Sequence, residues 1–203
     1  MIKIDNLDEA HSSLTELIIK ENKDGVELLN KMKELIVSLN DHWIGNDATT
    51  NINKLIDVHG KLQSFILATL ESTKSALISM VNLQEVRKAN GGGGQIGDVY
   101  SIDTSFACSI SKIPQTTEYY VDPSLKNDYT SLEYIEENLK AFDSYFKGEV
   151  DTIMNNWKSG SDREGVKANF DEINALSTTM ENTIEEVKQE LSTVINNMDQ
   201  VIN

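Results

Sequence analysis

The chain has 203 residues, with 18 Lys and Arg against 33 Asp and Glu, and a net charge of −15. That charge repels phosphate backbones and anionic lipid surfaces, so neither nucleic acid nor a membrane is an expected partner. One cysteine, Cys108, rules out an intramolecular disulfide and a cysteine-built zinc site, and only two prolines leave most of the chain free of helix breakers.

The N-terminal stretch Met1-Ile2-Lys3-Ile4-Asp5 lacks the apolar core of a signal peptide, and no run approaches the roughly 18 apolar residues of a spanning helix. The protein is expected to be made in the cytosol. If it is secreted, the route should read no cleaved signal.

Asn6 predicts the start of a first helix, with Asp8 and Glu9 in the first turn where the helix dipole favours anions. Apolar residues then recur with helical period at Leu7, Leu14, Leu17, Ile18, Leu28, Leu29, Met32, Leu35, Ile36 and Leu39. Gly25 interrupts this stripe at a cost of about 1 kcal/mol relative to Ala, which fits either a bend or the close approach of another helix. Trp43 closes the stripe, and Gly45 is the expected C-terminal stop.

A second helix is predicted from Asn46 or Asp47, with a stripe through Ala48, Ile52, Leu55, Ile56, His59, Leu62, Ile66, Thr69, Thr73, Leu77, Met80 and Val81. Phe65, Leu67, Ile78 and Leu83 widen its apolar face, as suits a helix packed on more than one neighbour. Asn90 and Gly91–Gly94 predict a flexible tether. From Ile96 to Val121 the residues favour extended structure and are too apolar for pure disorder, so an extended segment, with room for a short hairpin, is expected to lie on the helices.

Asp122-Pro123 restarts a helix, with Asp as cap and Pro at the first position. The third predicted helix carries Leu125, Tyr129, Leu132, Ile135, Leu139, Phe142, Phe146, Val150, Ile153 and Trp157. Ser161-Asp162-Arg163-Glu164 reads as a capping box opening a fourth helix. Its stripe, from Val166 through Phe170, Ile173, Ser177, Met180, Ile184, Val187, Leu191, Val194 and Met198 to Val201, alternates steps of four and three like a coiled-coil seam.

The two helix–helix turns resemble each other. Each has a Trp ending the incoming helix, a Gly two or three residues on, and an Asp near the start of the outgoing helix: Trp43, Gly45 and Asp47, then Trp157, Gly160 and Asp162. The repeat divides the chain into a hairpin over 1–89, a Gly-rich and extended linker over 90–122, and a second hairpin over 123–203. The expected fold class is all-α, with the two hairpins packed as an antiparallel four-helix bundle. Such a chain is a pseudo-dimer and a monomer in solution. The linker can extend about 3.3 Å per residue, enough to run the length of such a bundle. The stretch 124–203 holds 16 acidic against 7 basic residues and suits a more basic partner.

Trp43-Ile44-Gly45 between two long amphipathic helices resembles the WXG family, small helical hairpins exported by type VII (ESX) secretion systems, usually as antiparallel dimers. The resemblance covers about residues 5–88 and extends to 122–203 by architecture, where Trp157-Lys158-Ser159-Gly160 carries one extra residue. It implies a tandem, single-chain WXG protein that is a secreted substrate, or an adaptor or chaperone for a larger effector. Its partner would be a protein, either the secretion machinery or the effector. The family's export signal, Tyr-x-x-x-Asp/Glu after the second helix, has no counterpart in Met198-Asp199-Gln200-Val201-Ile202-Asn203. Tyr129 with Glu133 and Tyr145 with Glu149 match the spacing but fall in the third predicted helix. Two alternatives stand beside this: a membrane-active helical protein whose hairpins open to insert, and a structural helical module.

Residues that could do chemistry are scattered. His11, His42 and His59 lack a metal-binding partner at helical spacing, and His42 is assigned to the turn beside Trp43. His59 reads as a hydrogen-bonded or boundary histidine. Gly91–Gly94 lacks the Gly-Lys-Ser/Thr of a phosphate loop, and Cys108 has no evident base. No metal, no cofactor and no enzymatic activity are expected.

Overall fold

A computed structural model describes residues 3–91 and 102–202. The tether expected at Gly92–Gly94 and the extended structure expected at Ile96, Val99 and Tyr100 lie outside the described residues. The fold is all-α. In chain order it comprises β1 (Lys3–Ile4), α1 (Leu7–Lys20), a π-helical turn (Glu21–Gly25), α2 (Val26–His42), β2 (Trp43–Ile44), α3 (Asn46–Ala89), β3 (Tyr120–Val121), α4 (Leu125–Asn156), β4 (Trp157–Ser159) and α5 (Ser161–Ile202).

The chain clusters into two compact units, each drawn from three stretches. The first comprises Met1–Val26, Phe65–Phe106 and Phe142–Ala175, the second Glu27–Ser64, Ala107–Ala141 and Leu176–Asn203. In the first, Leu14 and Leu17 of α1, Phe65 and Leu77 of α3, Phe146 and Ile153 of α4 and Phe170 of α5 are all buried. Phe65 packs against Phe142 and Phe146 at ring-centroid distances of 5.8 and 4.9 Å, and Phe146 against Phe170 at 5.8 Å. The Phe65–Phe146 and Phe146–Phe170 pairs are edge-to-face, and such pairs each add about 0.5–1.5 kcal/mol to the burial of the rings. In the second unit Leu35, Leu39 and Trp43 are buried, as are Leu55 and Leu62 of α3, Leu132 and Leu139 of α4, and Ile184 and Leu191 of α5.

Asn6 caps α1 as expected, its side chain accepting the Glu9 amide at 3.2 Å. The first predicted helix is not one uninterrupted α-helix: the π-turn ends at the suspected Gly25. A Cβ there would lie 3.0 Å from Phe142 Cζ, 3.2 Å from Ile66 Cγ1 and 3.3 Å from Glu21 Oε2, so Gly25 makes room for side chains of α3 and α4 to pack closely on it. Glu21 is only 1% exposed, and its Oε2 has no hydrogen-bond partner. Burial raises its carboxyl well above the ordinary value of 4.5.

Four further local expectations need correction. Gly45 does not stop α2, which ends at His42; it precedes α3, and its carbonyl accepts the Thr49 amide at 2.9 Å. The capping box at Ser161 does not form, because Ser161 already belongs to α5 and its hydroxyl donates to Asp162. Glu164 is bound instead by Arg163, 2.6 Å away, and the Glu164 amide donates to Gly160 O. Ile78 on the widened face of α3 is 44% exposed. The restart comes two residues later than expected: α4 begins at Leu125, Pro123 lies in the turn before it, and Asp122 Oδ1 accepts the Ser124 amide at 2.7 Å.

Gly25→Ala is expected to lower stability by about 1 kcal/mol net, since crowding against Phe142 outweighs the gain in helix propensity. Urea denaturation measures this, and a raised midpoint would show that the ring has room to give.

Candidate functional site

Both turns are built by the same device. Trp43 and Trp157 are buried at 2% and 1% exposure, so each indole anchors a chain reversal in its unit. Each turn strand pairs antiparallel with the segment leading into another helix. Trp43 and Ile44 of β2 pair with Val121 and Tyr120 of β3, which leads into α4. Within β4, Trp157 and Ser159 pair with Ile4 and Lys3 of β1, which leads into α1. A matching backbone bond closes each pair: Asp122 N donates to His42 O at 2.8 Å, and Asp5 N donates to Asn156 O at 2.7 Å.

The glycines that follow are required by conformation. Gly45 has φ +147° and Gly160 φ +136°, a region that side chains rarely adopt because Cβ crowds the backbone. Tyr119 covers Gly45, where a Cβ would lie 3.1 Å from Cδ2 of the ring. At the second turn Arg163 reaches back to bond the Trp157 carbonyl and, at 3.4 Å, the Met154 carbonyl, so a cation satisfies the end of α4.

A polar cluster missed by the sequence reading adjoins the first turn. Asp128, in the first turn of α4 and 3% exposed, accepts from the Ser38 hydroxyl at 2.5 Å through Oδ1. Its Oδ2 lies 2.7 Å from His42 Nδ1. Ser38 and Asp128 line a shallow groove with Lys31, Glu34 and Tyr134. Ser, His and Asp together invite comparison with a hydrolytic triad, but the connectivity is wrong for one. A triad's serine gives its proton to the imidazole nitrogen that the carboxylate does not hold. Here Ser38 and His42 Nδ1 both turn to the same carboxylate, so Asp128 clamps the end of α2 to the start of α4. The Asp128 hydrogen bond raises the pKa of His42 against the opposing effect of desolvation, with Asp128, Asp122 and Asp41 adding attraction. Ser38 and His42 were visible as an i, i+4 pair on one helical face. Asp128 gave no signal beyond its place in a first turn.

The two Tyr–Glu pairs lie within α4. Tyr129 is half-buried, and burial together with Glu133 raises its pKa. Tyr145 is half-buried with Lys20 Nζ 5.1 Å from its ring centre, and burial followed by Glu149 raises its pKa. His59 is not at a boundary: it is 2% exposed, its Nε2 has no partner, and burial, then Lys33, lowers its pKa. Cys108 is half-buried in the extended segment. Among the described residues no group of three or more His, Cys, Asp or Glu is arranged to hold a metal ion, and no helix is long and apolar enough to cross a membrane. Comparison with family models, curated proteins and solved structures returns no match.

Gly45→Ala and Gly160→Ala are each expected to cost about 1–3 kcal/mol of stability, measured by urea unfolding, because an L-residue is strained in either backbone conformation. The His42–Asp128 clamp predicts a pH dependence. A folded-state pKa above the unfolded value makes its stabilisation complete below about pH 6.5 and lost as pH rises through the folded pKa. The melting-temperature gap between wild type and His42→Asn should therefore narrow as pH is raised. A gap constant over the titration would show that the charge on His42 contributes nothing.

Proposed function

We propose that the chain is a tandem, single-chain relative of the WXG proteins. It acts in type VII secretion as an exported substrate or as an adaptor or chaperone for a larger effector. The observation that carries this reading is the Trp–Gly turn built twice, with a buried indole, a short strand and a positive-φ glycine between long helices. In an antiparallel pair of hairpins, the lead-in of each lies beside the turn of the other. The pairings of β3 with β2 and of β1 with β4 support that arrangement. On this reading the helices form an antiparallel four-helix bundle, a monomer that mimics a WXG dimer. Recognition is by helix faces, with no covalent chemistry and no cofactor, and the acidic stretch 124–203 favours a basic protein partner.

Export from the producing cells tests the proposal. With the ATPase of the secretion system inactivated, the protein in the medium should fall sharply while its cellular level holds, or, for an adaptor, a larger effector should co-purify with it. Export indifferent to the ATPase with no co-purifying effector would sink the secretion reading. A solution mass of two chains would sink the pseudo-dimer.

A further inference from the structure

The segment 107–118 lies on α3 within the second unit, running in the opposite direction to the helix. It is held mainly through its backbone. Asn53 clamps one residue at two points, with Nδ2 donating to Ile113 O at 2.9 Å and Oδ1 accepting the Ile113 amide at 2.9 Å. Thr49 Oγ1 donates to Pro114 O at 3.5 Å, and Gln63 Oε1 accepts the Cys108 amide at 2.7 Å. One side chain is also recognised: Lys112 Nζ lies 2.5 Å from Asp57 Oδ2 and donates to Asn53 O at 2.9 Å.

A connection that formed part of the core would bury its apolar side chains. Here Cys108, Ile110 and Ile113 are only half-buried, and the residues between them are exposed. A primary amide bonded to both the N–H and the C=O of one residue reads the main chain whatever the side chain, provided that residue is not proline.

We propose that this face of α3 is a groove for an extended polypeptide, and that residues 107–118 are its built-in occupant. An extended segment of a partner protein displaces them. The chemistry of the cis segment defines the partner: an extended backbone at Asn53 and Gln63, small or apolar side chains facing the helix, and a basic side chain next to the clamped residue to meet Asp57. The proposal goes beyond the secretion reading and does not depend on it.

The test uses the full chain with residues 107–118 replaced by a Gly/Ser stretch of equal length, and a fluorescent peptide with the sequence of residues 107–118. Anisotropy should report saturable binding to the replaced chain. Binding to the wild type should be at least about tenfold weaker, because the tethered segment competes at an effective concentration on the order of millimolar. Asn53→Ala in the replaced chain should also weaken binding at least about tenfold, with helical circular dichroism unchanged. Absence of binding to a folded replaced chain, or binding indifferent to Asn53→Ala, would overturn the proposal. A replaced chain that cannot fold would also overturn it, since the segment would then belong to the core.

Hydrogen exchange on the wild type gives an independent reading. The Cys108 and Ile113 amides should exchange by local opening, at least about a hundredfold faster than the most protected amides of α3. Exchange only through global unfolding would overturn displacement. Wild-type dimerisation abolished by Asn53→Ala would assign the groove to the segment of a second copy and overturn the role of a different partner.

Discussion

Both reversals of the chain depend on a glycine with positive φ, set shortly after a buried indole. The indole fixes where the incoming helix ends, because moving it by one residue would turn it out of the core. The glycine then redirects the backbone through a conformation that side chains adopt only under strain, and the next helix starts at once. The Trp–Gly spacing differs by one residue, and the structure absorbs this in the strands: β2 has two residues before Gly45 and β4 has three before Gly160. Everything that docks on the turns, including the lead-in strands and the Asp128 clamp, depends on that geometry.

Much of the helical core was legible because burial along a helix follows a simple period. The stripe from Leu14 to Leu39 is buried, as are Val166 to Leu191 at the positions expected, Ser177 among them. The turns were legible as sites of reversal, though Gly45 was assigned to the wrong neighbour. A glycine between two helices can close the first or open the second, and spacing alone does not choose. The failed capping box has a similar cause. Ser161 has the right residue type, but Gly160 already occupies the position before the helix, and a residue inside α5 cannot serve as its cap.

What was not legible is mainly polar. Glu21 lies three residues after Ile18 and four before Gly25, so it continues the spacing of the stripe, yet a charged residue there reads as an interruption. It is buried where Gly25 lets Phe142 and Ile66 come close. Asp128 looked like an ordinary first-turn carboxylate until Ser38 and His42 were found on it. Glu136 is similar: burial opposes its ionisation, yet hydrogen bonds from Lys140 and Lys188 hold its carboxyl below the usual range. Asp128 with Ser38 and His42, and Glu136 with Lys188, join residues far apart in the chain, so no local pattern announces them. The extended segment on α3 was anticipated as a class of structure. Its attachment through Asn53 and Gln63 was not, because a side chain that binds a backbone leaves no mark on the sequence it binds.

The unpaired Glu21 and His59 have a joint consequence in proton traffic. Folding raises the pKa of the carboxyl above 4.5 and lowers that of the imidazole below 6.5. At a pH between those two values, folding takes up a proton at Glu21 and gives one up at His59, so the two demands oppose each other. Just above that interval His59 falls silent, while His42, raised by its hydrogen bond to Asp128, draws a proton into the folded state. Heats of folding measured in buffers of different ionisation enthalpy should therefore depend less on the buffer between those two values than titration of either group alone would give, a calorimetric signature of two groups that burial keeps uncharged by opposite proton transfers.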